Sequence, residues 1–195
     1  MQLRENLRFN KLNQLIAILS SSKIFWILSF TFLTAVAAEI TIPVTPVPFT
    51  LQTMVVVLSG AFLGAKKGFY SQVIYLLLGC TGLPIFAQIP DSSIGIARLF
   101  GPTGGYLLAF PFAAFLTGFL VKFNKSYLWI IFSMFIGNTF ILITGSSYLG
   151  IVYLKNLSQG FEEGAVPFFI WEIVKVFIGT NIYFGISKTH SDFSK

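Results

Sequence analysis

YLWIIFSMFIGNTFILITGSSYL, residues Tyr127–Leu149, runs for 23 residues without an Asp, Glu, Lys or Arg. About 20 apolar residues in a helix cross the hydrocarbon core of a bilayer, so this stretch predicts a membrane span. The whole chain agrees with it. Of its 195 residues, 55% are apolar and only 10% are charged, and its mean hydropathy is +0.80. A soluble domain carries about 25% charged residues; this chain has too few to cover a surface in water. It reads as an all-α integral membrane protein, multi-pass in the cell membrane.

The same reading predicts a bundle of six transmembrane helices, at about Ile24–Ile42, Leu51–Ala65, Phe69–Ala87, Pro102–Val121, Tyr127–Leu149 and Val166–Ile186. Residues 1–195 then form one membrane domain, with a basic leader over 1–23, the bundle over 24–186 and a tail over 187–195. Gly60 and Gly64, one turn apart in the second span, let neighbouring helices approach closely within the lipid. Arg4, Arg8, Lys11, Lys23, Lys66, Lys67, Lys122, Lys125, Lys188 and Lys195 all fall on one side of this arrangement. Arg98 and Lys155 fall on the other, and Lys175 lies within a span. The positive-inside rule therefore places both termini in the cytoplasm. Topology accounts for the net charge of +6 without a nucleic-acid partner. In the leader, Leu3, Leu7, Leu12, Leu15, Ile16 and Leu19 form a loose stripe suited to a helix on the inner leaflet, or to a longer first helix. Basic residues followed by Ile24–Leu33 and Ala35-Val36-Ala37 also look like a cleavable signal peptide. Against that, the basic region is long, and cleavage would leave an odd number of spans.

Three segments break the greasy pattern. They are Pro46-Val47-Pro48-Phe49-Thr50-Leu51-Gln52-Thr53, Gly79-Cys80-Thr81-Gly82-Leu83-Pro84-Ile85-Phe86 and Gly101-Pro102-Thr103-Gly104-Gly105-Tyr106. Proline and paired glycine at the ends of hydrophobic runs mark loops of defined backbone shape. A fourth segment, Trp171-Glu172-Ile173-Val174-Lys175, sets opposite charges three residues apart inside the last span. They share one helix face, and ionised groups at membrane depth mark a functional site by default.

In order and spacing these segments resemble the BioY family, the biotin-binding S components of energy-coupling-factor (ECF) vitamin transporters. The resemblance runs from about Ile40 to Gly118 and resumes at Trp171–Lys175. It implies a six-helix bundle that captures biotin from outside, driven by a separate transmembrane coupling subunit and a pair of cytoplasmic ATPases. Small residues on the family's first helix resemble a coupling-subunit contact; here Thr34, Ala37 and Ala38 occupy that place, and packing within the bundle is the equal alternative. The family carries Asp-x-x-Lys where this chain has Glu172 and Lys175.

Biotin gives these residues a chemistry. Its ureido ring offers two N–H donors to the Glu172 carboxylate and a carbonyl to the Lys175 ammonium. Otherwise the pair only fixes helix rotation. The valerate carboxylate calls for a cation near the mouth, and Arg98 suits bidentate capture, assisted by backbone N–H groups around Thr103 and Gly104. Otherwise Arg98 is an exposed loop residue balanced by Asp91. Phe49, Phe86, Tyr106 and Trp171 are candidate walls for the ring system, with Gln52 and Asn138 as spare polar partners. Glu39 reads as an interfacial charge.

Other chemistries are excluded. The single histidine, His190, and the single cysteine, Cys80, offer no metal cluster, disulfide or cofactor site. Gly60–Lys67 has one residue too few between its glycines for a phosphate loop and no Ser or Thr after Lys66. The chain is expected to be neither an ATPase nor another enzyme. The competing functions are a proton-coupled carrier or facilitator of a small vitamin, working through Glu172, and an S component for a different vitamin.

Overall fold

A computed structural model describes residues 22–88 and 93–192. The expected leader helix, Asp91 and Lys195 lie outside the described residues. In chain order the described elements are α1 (Lys23–Glu39), a hairpin of β1 (Thr41–Ile42) and β2 (Phe49–Thr50), α2 (Gln52–Leu63), α3 (Ala65–Cys80), a 3-10 turn (Gly95–Phe100), α4 (Gly104–Val121), α5 (Tyr127–Tyr148), a π-helical turn (Leu149–Leu154), α6 (Leu157–Gly164) and α7 (Val166–Asp192). The hairpin is antiparallel, with Thr41 opposite Thr50 and Ile42 opposite Phe49.

Gly104–Val121, Tyr127–Leu154 and Val166–Ser187 are long and apolar enough to cross a membrane. The other three expected spans form shorter helices: α1 has 17 residues, α2 has 12 and α3 has 16. The expected third span, Phe69–Ala87, is shifted towards the N-terminus, and the reason is local. Gly64 at φ 78° ends α2 and starts α3 in a single residue, while Gly82 at φ 95° ends α3 before Pro84. Helical geometry also continues past the expected end of the fifth span, through the π-helical turn to Lys155 in the left-handed conformation. Asn156 then caps the unexpected α6, its side chain accepting from the Gln159 N–H at 3.3 Å.

The molecule is apolar outside, and it buries polar side chains among the apolar ones of its core. Leu128, Ile170 and Phe100 are each over 70% exposed, whereas Thr34, Ser59, Ser71 and Gln72 are fully buried. Gln72 donates through its amide to the hydroxyls of Thr34 and Ser59, each at 3.2 Å, and so ties α1, α2 and α3 together. Thr34, Ala37 and Ala38 are all buried within the bundle.

Glycines let α4 sit at the centre. A Cβ on Gly60 would collide with the Ala114 carbonyl, and one on Gly118 with the backbone of Gly60 and Ala65. Between α4 and α5 the fit is reciprocal: the Tyr106 ring lies over Gly145, and the Tyr148 ring over Gly105. A Gly60→Val variant should lose about 1–3 kcal/mol or more of stability, because the clashing partner is backbone. Gly185→Ala, where an added Cβ meets nothing within 4 Å, should leave the thermal unfolding midpoint unchanged or raise it. Melting curves of the two purified variants against the parent protein check this.

Candidate functional site

The hairpin and the 3-10 turn close one end of the bundle over a cavity. About 530 Å³ there, mouth included, is not filled by atoms. The enclosed part is only about 50 Å³, well below the roughly 300–1,000 Å³ of open small-molecule sites, so a ligand fits only when the walls move apart. Its walls are mostly apolar: Val47 and Pro48 from the hairpin loop, Phe86 and Ala87 from the segment after α3, Leu107 and Phe110 from α4. Leu142 and Phe168 complete them.

One wall carries the ion pair. Glu172 and Lys175 are 3% and 2% exposed and pair with each other from successive turns of α7. Lys175 also donates to the Thr53 hydroxyl and, at 3.1 Å, to the Thr50 carbonyl. The Thr53 hydroxyl in turn lies 2.9 and 3.0 Å from the two Glu172 oxygens. The strand end and first turn of α2 thus supply the polar environment that lets α7 bury two charges. Beside this group Gln52 donates to the Tyr75 hydroxyl at 2.6 Å, which donates to the Ile85 carbonyl at 2.9 Å.

Arg98 reaches the cavity from the 3-10 turn. Gly95, at φ 70°, brings that turn against the Cys80 carbonyl at the end of α3, and Gly104 accepts the Leu99 carbonyl where a Cβ would collide. The guanidinium is 4% exposed and donates to the Ala87 carbonyl. Its Nε has no partner, nor has the Thr103 hydroxyl, which lines the same cavity. Among the described residues Arg98 pairs with no carboxylate, and burial lowers its pKa from the ordinary arginine value. The exposed-loop alternative for Arg98 does not hold.

Glu172, Lys175, Arg98, Gln52, Phe86, Thr103 and Tyr106 therefore line one cavity. Four expected residues do not line it. Phe49 stacks on Phe168 with centroids 4.3 Å apart, one layer behind the wall. Gly104 is occupied by the 3-10 turn. Asn138 is 1% exposed in α5 with neither amide atom bonded, and Trp171 is half-buried with its Nε1 unpartnered. Glu39 is exposed. Thr50 and Thr53, though within the Pro46–Thr53 segment, and Tyr75 and Phe168 are not among the site residues expected from the sequence. Thr53 alone carried a signal, a hydroxyl in the first turn of an apolar helix directly after the Pro-rich segment. No groups of His, Cys, Asp and Glu able to hold a metal ion occur among the described residues.

The family model described as "BioY family" matches residues 10–192. A "Probable biotin transporter BioY" of Pyrococcus horikoshii is 40% identical over 75% of this chain and 84% of its own length. A "Biotin transporter BioY" of Thermotoga maritima is 38% identical over 82% of this chain and 92% of its own length. The fold matches the crystal structure of the S-component for biotin from an ECF-type ABC transporter, with a TM-score of 0.77 over 90% of this chain and 93% of that one, at 24% identity.

Breaking a buried pair leaves an uncompensated charge and costs about 3–5 kcal/mol, whereas replacing both partners by apolar residues is often neutral. Glu172→Leu and Lys175→Met should each lower the unfolding midpoint in detergent, and the double variant should recover most of the loss. Simple additivity of the two losses would mean that the pair is not coupled.

Proposed function

The chain belongs to the BioY family, and from that premise we propose that it is the biotin-binding S component of an ECF-type vitamin transporter. It is a transport subunit and not an enzyme. The observation that carries the reading is a single apolar cavity with a buried carboxylate–ammonium pair on one wall and a buried, under-bonded arginine on another. Biotin has matching parts: a neutral ureido group with donors and an acceptor, an apolar thioether ring, and an anionic tail.

In this reading the ureido N–H groups donate to Glu172 while the ureido carbonyl accepts from Lys175, and the ligand bridges the pair without adding net charge. Thr53 holds the carboxylate in place. Phe86, Tyr106 and Phe110 enclose the ring system, and Gln52 stays engaged with Tyr75. The carboxylate meets Arg98 and the free Thr103 hydroxyl, restoring a counter-charge to a buried cation. Glutamate in place of the family's aspartate extends the carboxylate by one methylene, and Thr53 supplies hydroxyl contacts at that extended position.

The topology that goes with this function has six spans, α1 to α5 and α7, with both termini in the cytoplasm of the cell and the cavity facing outward. Lys66 and Lys67 at the start of α3, with Lys122 and Lys125 after α4, support that orientation. A tight binder of scarce vitamin must be helped to let go. A transmembrane coupling subunit and its pair of cytoplasmic ATPases supply that help.

Equilibrium binding of radiolabelled biotin to the purified protein in detergent tests the reading, with biotin amide, thiamine and riboflavin as competitors. Stoichiometric binding displaced only by biotin compounds is expected; displacement by another vitamin would overturn the assignment. Arg98→Gln should weaken biotin roughly 10- to 100-fold, the size of a charge-assisted hydrogen bond, and weaken the uncharged amide far less. Equal losses would remove Arg98 from the carboxylate's neighbourhood.

A further inference from the structure

A second cavity lies at the opposite end of the bundle from the biotin site, between the start of α1, the end of α2 and the last turns of α7. It is an open groove of about 730 Å³, against about 50 Å³ for the first. Its floor and sides are apolar and aromatic, from Trp26, Phe30, Leu33, Phe62 and Leu63. Its polar rim holds Lys23 and Lys67, with Ser29 and Ser187 beside them. No acidic residue lines it, and neither lysine pairs with a carboxylate among the described residues.

Two cations over an aromatic trough form an amphipathic site. The lysines stand at the helix ends, where the headgroup layer lies, and the apolar wall runs from them towards the membrane interior along α1, from Trp26 to Leu33. Tryptophan at such a level is characteristic of the membrane interface. A soluble anion would have no use for the trough, and a neutral lipid no use for the lysines. Basic pockets between transmembrane helices hold anionic headgroups for this reason.

We propose that this groove binds one anionic phospholipid, its phosphate between Lys23 and Lys67 and an acyl chain along Trp26, Phe30 and Phe62. The site is independent of biotin and remains in place whatever the first cavity binds.

Trp26 reports on it directly. The full-length protein and a Trp26→Phe variant are placed in phosphatidylcholine nanodiscs containing increasing fractions of acyl-brominated phosphatidylglycerol or acyl-brominated phosphatidylcholine. The fluorescence difference between the two proteins isolates Trp26. Half-quenching should need a roughly tenfold smaller fraction of the brominated phosphatidylglycerol, given the attraction expected of two lysines. The Lys23→Gln/Lys67→Gln variant should lose that preference, and Lys23→Arg/Lys67→Arg should keep it. Equal quenching by the two lipids would reduce the groove to ordinary lipid contact and overturn the proposal. Quenching by neither would mean that protein fills it, whether a partner or the chain's own N-terminal residues. A preference undiminished in the Lys→Gln variant would move the anionic site elsewhere.

Discussion

A carboxylate and an ammonium held together inside an apolar bundle constrain everything around them. Glu172 and Lys175 can stay ionised there only if each is paired and its remaining hydrogen-bonding capacity is used. Their own helix provides the pairing, since residues three apart meet on one face. It cannot provide the rest. The Thr53 hydroxyl and the Thr50 carbonyl do, and they come from a chain segment more than a hundred residues earlier. The hairpin before α2 must therefore dock on α7, and in docking it closes the cavity. Pairing of the charges and enclosure of the site are one event.

The same economy runs through the packing. With lipid outside, helices gain nothing from burying apolar faces against one another, so close backbone approach and internal hydrogen bonds hold the bundle. Gly60 and Gly118 let α2, α3 and α4 touch through backbone. Gln72, fully buried, bonds across to α1 and α2. Arg98 follows another logic: among the described residues its buried guanidinium is held by one carbonyl, with Nε left over. Among the described residues that leaves anion-binding capacity on Arg98 at the place where the proposed ligand's charge would arrive.

Much of this was legible beforehand, and for reasons that differ by residue. The long helices follow from apolar runs such as Tyr127–Leu149, which have no other stable state in a bilayer. Glu172 and Lys175 stand out because charge is rare there, and Arg98 because it is the lone cation in its loop. The boundaries of α3 were misplaced because single glycines at positive φ, Gly64 and Gly82, decide them, and hydropathy does not register backbone sign. The role of α6 was missed because its residues are mostly polar and its anchor is remote: the Tyr106 hydroxyl donates to the Gly164 carbonyl at 2.8 Å. Thr53 and Phe168 illustrate the general limit. Their partners are distant in sequence, and among 23 phenylalanines nothing marks Phe168 as lining a wall.

The reciprocal fit of Tyr106 over Gly145 and Tyr148 over Gly105 acts as a mechanical latch. Each side chain is a tooth engaged in a notch on the opposite helix. A slide of α4 along α5 would carry each tyrosine off its glycine and against a residue that has a Cβ. These two helices therefore behave as a single rigid plate forming the back of the cavity. The front of the cavity is held differently, by single hydrogen bonds: Lys175 of α7 donates to the Thr50 carbonyl of the hairpin, and Tyr75 of α3 donates to the Ile85 carbonyl.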